Sequence, residues 1–224
     1  MCIRDSTSWI FAGEGGLAPE RCDWLIEEGL KRPEQIASHS TGDGDFSKDD
    51  ETRSSRISWL HGEEYYQIVR PFMMKANENA GWRFDIRSIE NIQFTKYGIN
   101  QHYEWHIDGN CDHNAARLYR DPEPNKQPAL NETPDPMLVG MCRKLSVSIN
   151  LSNSDDYEGG DMEFTDLPTT KQDKELNTWT NKELFRQKGT VIVFPSFIRH
   201  RVTPVTKGTR YSAVAWINGP PPVS

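Results

Sequence analysis

The chain has 224 residues, enough for one domain with a real hydrophobic core. Lys and Arg total 26 against 33 Asp and Glu, and the net charge of −7 counts against nucleic acid as the main partner. The four cysteines lack paired spacing, which favours a reduced compartment. No apolar run suits a signal peptide or a membrane span, so we expect a soluble, cytoplasmic protein. The sequence does not determine its oligomeric state.

The first third of the chain predicts helices. Pro19 suits a first helical turn, and apolar residues then follow at helical spacing: Cys22, Leu25, Ile26 and Leu30. Residues 40–51 are polar and rich in Gly and Asp, which predicts a loop, and residues 57–60 predict a short strand. A second helix is expected over 63–80, with Pro71 kinking or splitting it. Its apolar face would hold Tyr65, Val69, Phe72, Met73 and Ala76.

From residue 86 the apolar pattern changes to a period of two. Strand-like segments cover 86–95, 103–107, 145–151, 162–165, 190–194, 201–205 and 210–217. The strict alternation over 145–151 predicts a half-buried antiparallel strand. Helices followed by many short strands predict a mainly β (α+β) fold, with a sandwich or barrel core backed by N-terminal helices.

Two polar segments, 109–143 and 166–182, interrupt these strands. The first contains five prolines and shows no periodicity. Because loops of this length in compact domains are usually functional or disordered, we interpret 109–143 as a lid or substrate-facing insertion.

His106 and Asp108 stand at positions i and i+2 of a predicted strand, so their side chains point to the same face. The spacing alone is a weak signal, since a surface His and Asp at a strand end would also produce it. Among the other histidines, His200 lies between two strand-like runs and is the natural third ligand. Two histidines and one carboxylate with open positions are typical of Fe(II) oxygenases.

Ten residues after His200, Arg210 and Ser212 share one face of a strand. A guanidinium and a hydroxyl side by side can bind a carboxylate, the guanidinium in bidentate fashion. The alternative is an arginine paired with a surface acid. The small and apolar neighbours favour the first interpretation, since an unpaired charge there would be costly.

The chain resembles the 2-oxoglutarate- and iron-dependent oxygenases of the prolyl 4-hydroxylase type, especially small bacterial and phage members. The matching blocks are RSSRISWL (53–60), IQFTKYGINQHYEWHID (92–108), RKLSVSINLS (143–152), DDYEGGDMEF (155–164) and GTVIVFPSFIRHRVTPVTKGTRYSAVAWINGPP (189–221). The resemblance implies a double-stranded β-helix, or jelly roll. We expect a single domain over 1–224, with helical support at about 17–82 and a jelly-roll core at about 86–217 that contains the 109–143 insertion.

The resemblance also implies the site residues. His106, Asp108 and His200 would bind Fe(II), with no further catalytic side chain needed. The cosubstrates would be 2-oxoglutarate and O2, with ascorbate as reductant.

The remaining pocket residues also come from the resemblance. Those implied to bind 2-oxoglutarate are Arg210 at its distal carboxylate, the hydroxyls of Tyr97 and Ser212, and the side chains of Asn150 and Trp216. Tyr103 and Trp105 would either line the substrate mouth or pack in the interior. Gly159 and Gly160 look like a turn that needs only backbone freedom.

The implied reaction is hydroxylation of a C–H bond with release of succinate and CO2. The family favours a prolyl residue in a peptide or protein as substrate. A free amino acid or small metabolite is the alternative. A nucleic-acid demethylase of the same iron class is disfavoured, because Trp216 stands where those enzymes usually carry a second arginine and the net charge is negative.

Overall fold

The computed structural model describes residues 2–4, 8–37, 39–40, 46–47, 51–111, 115–122, 132–165 and 178–222. Its helices are α1 (Pro19–Lys31), α2 (Glu63–Asn79) and α3 (Lys182–Phe185). Its strands are β1 (Cys2–Arg4), β2 (Trp9–Phe11), β3 (Gln35–Ile36), β4 (His39–Ser40), β5 (Phe46–Ser47), β6 (Arg53–Ser54), β7 (Arg56–Leu60), β8 (Ser88–Ile89), β9 (Ile92–Tyr97), β10 (His102–His106), β11 (Leu118–Tyr119), β12 (Glu132–Thr133), β13 (Cys142–Asn150), β14 (Tyr157–Gly159), β15 (Met162–Thr165), β16 (Thr178–Trp179), β17 (Val191–Pro195), β18 (Arg199–Val202), β19 (Val205–Gly208) and β20 (Arg210–Gly219).

The two long helices form where the sequence predicts them. α1 begins at Pro19 and packs against the sheet so closely that a Cβ on Gly29 would lie 2.3 Å from the Phe94 ring. Leu30, predicted on its apolar face, is instead exposed, because Gly29 is the residue that contacts the sheet. α2 runs unbroken through Pro71, so the predicted split does not occur. No helix in the described part of the chain is long and apolar enough to cross a membrane.

The larger sheet has the order β1-β2-β17-β13-β20-β9-β7-β3, and β8 pairs with β20. Its central neighbours are antiparallel. One face packs on α1 and α2 through a hydrophobic core that includes Leu25, Met73, Phe94, Val147 and Ala215.

Strand β13 is antiparallel as predicted, but it is not half-buried. Its polar residues Ser146, Ser148 and Asn150 are as buried as its apolar ones. The reason is that a second sheet covers this polar face. The polar half of the alternation therefore marks the interior of a two-sheet structure, the arrangement of a jelly roll.

The smaller sheet has the order β16-β15-β18-β10-β6. The predicted strand 201–205 is divided between β18 and β19, with Thr203 and Pro204 between them. The predicted loop 40–51 contains β5, which pairs with β4, and residues 41–45 and 48–50 lie outside the described residues. Within the insertion, β11 pairs in parallel with β12, and residues 112–114 and 123–131 are likewise outside. Residues 166–177 of the second polar segment also lie outside the described residues.

Candidate metal and carboxylate-binding site

Three potential metal ligands converge between the sheets. His106 ends β10 and lies directly opposite His200 on the antiparallel neighbour β18. Asp108 follows two residues after His106. Ligand atoms of these three residues all lie within 4.8 Å of one another. The structure therefore brings together the three residues that the sequence predicts as metal ligands.

Backbone hydrogen bonds orient both imidazoles. Nδ1 of His106 is 2.8 Å from the Glu104 carbonyl, and Nδ1 of His200 is 2.9 Å from the Ile198 carbonyl. Because a carbonyl only accepts, each Nδ1 carries the proton and each Nε2 keeps a lone pair. Nε2 of His106 lies 3.7 Å from one Asp108 oxygen, and Nε2 of His200 lies 3.6 Å from the other. All three groups thus present their free electron pairs to one place.

The protonation states also suit metal binding. Burial lowers the pKa of His106 well below its ordinary value, and the adjacent His200 lowers it further, so the His106 ring is neutral at neutral pH. Burial by itself raises the pKa of Asp108. The two imidazoles, the Arg143 guanidinium and the Ser146 hydroxyl outweigh that effect and bring this pKa below its ordinary value. The carboxyl is therefore an anion ready to bind a cation.

Two serines hold Asp108 in place, and its side chain and backbone are together called the Asp108 arm. The Ser146 hydroxyl donates to Oδ2 of Asp108 at 2.6 Å, and the two hydroxyls of Ser146 and Ser196 are 3.0 Å apart. The backbone N–H of Asp108 donates to the Ser196 carbonyl at 2.9 Å. The arm is fixed from both its side chain and its backbone.

A β-bulge in β10 decides which aromatic residue faces the metal ligands. Tyr103 opposes Val202 and His106 opposes His200, so one extra residue of β10 lies between these pairs. The bulge puts Tyr103 and His106 on the same face, where their rings stack at 3.5 Å between centroids. Trp105 lies instead against the Arg201 guanidinium, 4.7 Å from the ring centroid. Of the two residues predicted for the substrate mouth, the structure brings only Tyr103 to the metal ligands.

Arg210 is a buried cation whose charge is not matched by an anion in the described part of the chain. It is 4% exposed, and no residue that the structure describes offers it a hydrogen bond or an ion pair. Its guanidinium lies 5.6 Å from the centroid of the Tyr97 ring. The Tyr97 hydroxyl also has no hydrogen-bond partner among the described residues, and Tyr97 is buried. Since an unpaired buried charge is costly, this pair fits the binding of an anionic ligand.

Gly160 gives Arg210 the room to adopt this position. A Cβ at Gly160 would lie 3.1 Å from Cδ of Arg210 and 2.9 Å from a Val205 methyl group. The residue also has a φ of +61°. The expectation that Gly160 serves only backbone freedom therefore misses a second role, the close approach of Arg210.

A cavity between the sheets includes Arg210 together with Ser148, Asn150, Tyr157 and Arg186. Asn150 lines this cavity, but its amide donates to the carbonyls of Ser152 and Arg186, at 2.9 Å each, and so holds the surrounding backbone. Ser212 is buried and pairs in register with Asn150.

Trp216 lies elsewhere along β20, with the Arg143 guanidinium 3.9 Å from its ring centroid. Its buried indole N–H has no partner in the described part of the chain. Trp216 is the register partner of Ser146, whose hydroxyl binds Asp108.

The sequence alone did not identify Ser146, Arg53 or Arg143 as site residues. Arg53 is buried on β6, and its guanidinium lies 4.3 Å from the centroid of the Tyr103 ring. The signal for Ser146 was present, since it belongs to the polar half of the alternation in β13. The polar face of β13 is buried, and its side chains can support a site between the sheets.

The residues present fit an iron(II) ion. Two imidazoles and one ionised carboxylate form the donor set typical of non-haem iron(II) sites with open positions. The buried Arg210, which has no counter-ion among the residues that the structure describes, fits the carboxylate of a second ligand.

Comparisons with known proteins agree with this geometry. The 2OG-Fe(II) oxygenase superfamily matches residues 92–218, more than half of the chain. A PKHD-type hydroxylase of Xylella fastidiosa is 27% identical over 125 residues, which are 56% of this chain and 43% of that protein. One of Prochlorococcus marinus is 28% identical over 165 residues, 74% of this chain and 56% of that protein. The chain thus spans about half the length of these curated relatives.

Solved structures show the same fold. A viral collagen prolyl hydroxylase from Paramecium bursaria Chlorella virus-1 superimposes with a TM-score of 0.53 at 18% identity, covering 91% of this chain and 92% of that one. A Pseudomonas putida prolyl-4-hydroxylase superimposes with a TM-score of 0.54 at 16% identity, covering 90% of this chain and 87% of that one. These likenesses establish the double-stranded β-helix. The match over residues 92–218 shows that the chain belongs to the 2OG-Fe(II) oxygenase superfamily.

Proposed function

We propose that the protein is an Fe(II)- and 2-oxoglutarate-dependent dioxygenase that hydroxylates a C–H bond, with a prolyl residue of a peptide or protein as substrate. The observation that carries this proposal is the presence, in one structure, of the His106, Asp108 and His200 cluster and of a buried Arg210 that has no counter-ion among the described residues. The family match supports the cofactors. The names of the hydroxylase relatives support the reaction.

In this proposal each site residue has a physical task. His106, Asp108 and His200 hold the metal, with the Nδ1 hydrogen bonds fixing both imidazoles. Arg210 and the Tyr97 hydroxyl bind the distal carboxylate of 2-oxoglutarate. When bound, the metal and the keto acid supply O2 activation, with oxidative decarboxylation to succinate and CO2. Phe164 and Phe194, whose rings lie 6.0 and 4.7 Å from that of His200, exclude water from one side.

The substrate would approach from the side of Tyr103. Its ring lies between the Arg53 guanidinium and His106, so its position relative to the metal ligands is firmly set. We propose that Tyr103 contacts the substrate. The net charge of −7 and the presence of Trp216 argue against a nucleic acid.

We further propose that the chain forms one domain, with helical support at about 17–82 and a core at about 86–217. In this view the 109–143 insertion gates substrate access. Shortening the insertion within 121–131 should change the substrate range or the turnover, and unchanged values for both would refute gating. The described cysteines Cys22, Cys111 and Cys142 are free and buried, which supports the proposed cytoplasmic location.

The function is tested by mass spectrometry of mixed substrates under Fe(II), 2-oxoglutarate, ascorbate and air, with succinate quantified. The substrates are proline-containing peptides, free amino acids and methylated oligonucleotides. A gain of one oxygen on a peptide, absent with Asp108→Ala, is the expected result. Modification of free amino acids alone would refute the peptide substrate, and succinate no higher than with Asp108→Ala would refute the dioxygenase assignment.

Arg210→Met tests the carboxylate assignment separately. We expect it to weaken 2-oxoglutarate binding by about 100-fold, because a charge-assisted, bidentate interaction is lost. Metal affinity without 2-oxoglutarate should stay as in the unmodified protein. Unchanged affinity for 2-oxoglutarate would show that Arg210 is not its partner.

A further inference from the structure

A buried ionic cluster lies beside the Asp108 arm, centred on Glu90. Its carboxylate accepts from Nε and Nη2 of Arg143 at 2.8 and 2.7 Å. It also accepts from Nη2 of Arg117 at 2.6 Å and from the Asn218 amide at 3.1 Å. The side chains of Glu90, Arg143 and Arg117 are 13%, 16% and 8% exposed. Such low exposure makes these charge-assisted hydrogen bonds stronger than those of surface pairs.

Arg143 connects this cluster to the candidate metal site. Its remaining terminal nitrogen, Nη1, donates to the backbone carbonyl of Asp108 at 3.3 Å. The flat face of the same guanidinium lies 3.9 Å from the centroid of the Trp216 ring. The orientation of Arg143 is therefore linked to the position of a metal ligand.

Arg117 joins the cluster from the 109–143 insertion. Its backbone is anchored as well, since its N–H donates to the Met141 carbonyl at 3.0 Å and its carbonyl accepts from Gly140 at 2.8 Å. Two arginines share one carboxylate, so Glu90 alone does not neutralise the pair. On its other side Arg143 donates to the Asp108 backbone carbonyl, so a change at Glu90 can reach Asp108 through Arg143.

We propose that Arg117 is a positioning residue that locks the Glu90–Arg143 pair and thereby ties the insertion to the Asp108 arm of the metal site. The insertion is then part of the support of the metal centre. The test of this inference by metal affinity rests on the proposed function. The test by hydrogen exchange does not depend on that function.

Arg117→Met removes the guanidinium while leaving a complete Glu90–Arg143 pair. Arg117→Lys keeps the positive charge and one donor within reach of Glu90. The matched control is Arg120→Met, which removes an arginine of the same insertion that pairs with a different carboxylate, that of Glu132, at 2.6 Å. Urea denaturation of each variant confirms that it is folded before it is compared.

The first readout is hydrogen exchange of the metal-free protein. The amides of Asp108 and Gly109 both donate to the Ser196 carbonyl, so they report on the Asp108 arm. Arg117→Met should speed their exchange about tenfold, as the loss of a charge-assisted hydrogen bond predicts, without affecting the α2 amides. Arg117→Lys should restore most of the protection.

The second readout is the affinity and absorption spectrum of Co(II) as a probe of the metal site. We expect Arg117→Met to raise the Kd about tenfold, the lower end of the effect of groups that orient metal ligands. Arg120→Met should match the unmodified protein in both readouts. Unchanged exchange at Asp108 and Gly109 in Arg117→Met, or an equal change in Arg120→Met, would overturn the proposal. Failure of the unmodified protein to bind Co(II) would refute the metal site, while the exchange data would still decide the role of Arg117.

Discussion

The Ser146 hydroxyl donates a 2.6 Å hydrogen bond to the Asp108 oxygen that faces His200. This bond leaves the other oxygen, which faces His106, free of the serine. The carboxylate is therefore held with a defined orientation before any metal arrives. Ser146 is completely buried, so water cannot replace it.

Ser146→Ala should weaken metal binding about tenfold, because a partner that orients a metal ligand is lost. The measurement is the Kd for Co(II) or Mn(II) in the absence of 2-oxoglutarate. Ser58→Ala is the control, since the buried Ser58 hydroxyl donates to the Gly29 carbonyl at 2.8 Å, away from the metal ligands. Equal metal affinities for both variants would show that Ser146 does not orient Asp108.

The metal ligands were accessible to sequence reasoning because period-two patterns place i and i+2 on one face, and His106, Asp108 and His200 do come together. The period-two rule fails for Tyr103, three residues before His106. The bulge in β10 adds a residue between Tyr103 and His106 and puts both side chains on one face, whereas strict alternation would put them on opposite faces. A single extra residue leaves no periodic signature, so only the pairing register reveals it.

The Glu90 cluster was beyond sequence reasoning for a different reason. Its arginines are 27 and 53 residues away from Glu90, and Arg117 lies in a segment without periodicity. Nothing local to any of these residues indicates its partners. The polar face of β13, by contrast, was visible in the sequence, and only its burial by the second sheet was missed.

Tyr97→Phe should weaken 2-oxoglutarate binding about tenfold, because the hydroxyl would donate to a charged carboxylate that Arg210 also binds. Metal affinity should not change. Tyr211→Phe is the matched control, since Tyr211 is the neighbour of Arg210 in sequence and its ring stacks on Phe94 at 5.6 Å in the hydrophobic core. Calorimetric titration with Mn(II) under anaerobic conditions measures both affinities. A 2-oxoglutarate Kd equal to that of the Tyr211 variant would exclude the Tyr97 hydroxyl from the site.

Gly160→Ala should also weaken 2-oxoglutarate binding, by about tenfold, because the added methyl group displaces the Arg210 side chain. Gly13→Ala separates this effect from backbone strain. Gly13 has a similar φ of +57°, and a Cβ there would meet nothing within 4 Å. Both variants should lose about 1 kcal/mol of unfolding free energy from the left-handed backbone. If both variants bound 2-oxoglutarate alike, the fit between Gly160 and Arg210 would not matter for binding.

Glu90 should give the protein a distinctive acid sensitivity. Burial raises the pKa of Glu90, but the ion pairs with Arg143 and Arg117 outweigh it and lower this pKa to about 2 from an ordinary 4.5. Because the folded-state pKa is the lower one, the ionised group stabilises the fold fully above about pH 4.5, and that contribution is lost as the pH falls towards about 2. A shift of this size corresponds to about 3 kcal/mol.

Glu90→Gln should therefore lower the free energy of unfolding at pH 7 by about 3 kcal/mol or more, since it also removes the carboxylate that the two buried arginines share. The gap between the unmodified protein and the variant should narrow as the pH falls below about 4.5. Urea denaturation at a series of pH values measures this gap. Glu34→Gln is the control, because Glu34 is exposed and its contacts with Arg56 and Lys96, at 3.8 and 3.7 Å, should matter little at any pH. A gap that stays constant between pH 7 and the acid range would mean that Glu90 has a near-ordinary pKa, and that its arginines do not hold it as tightly as their distances indicate.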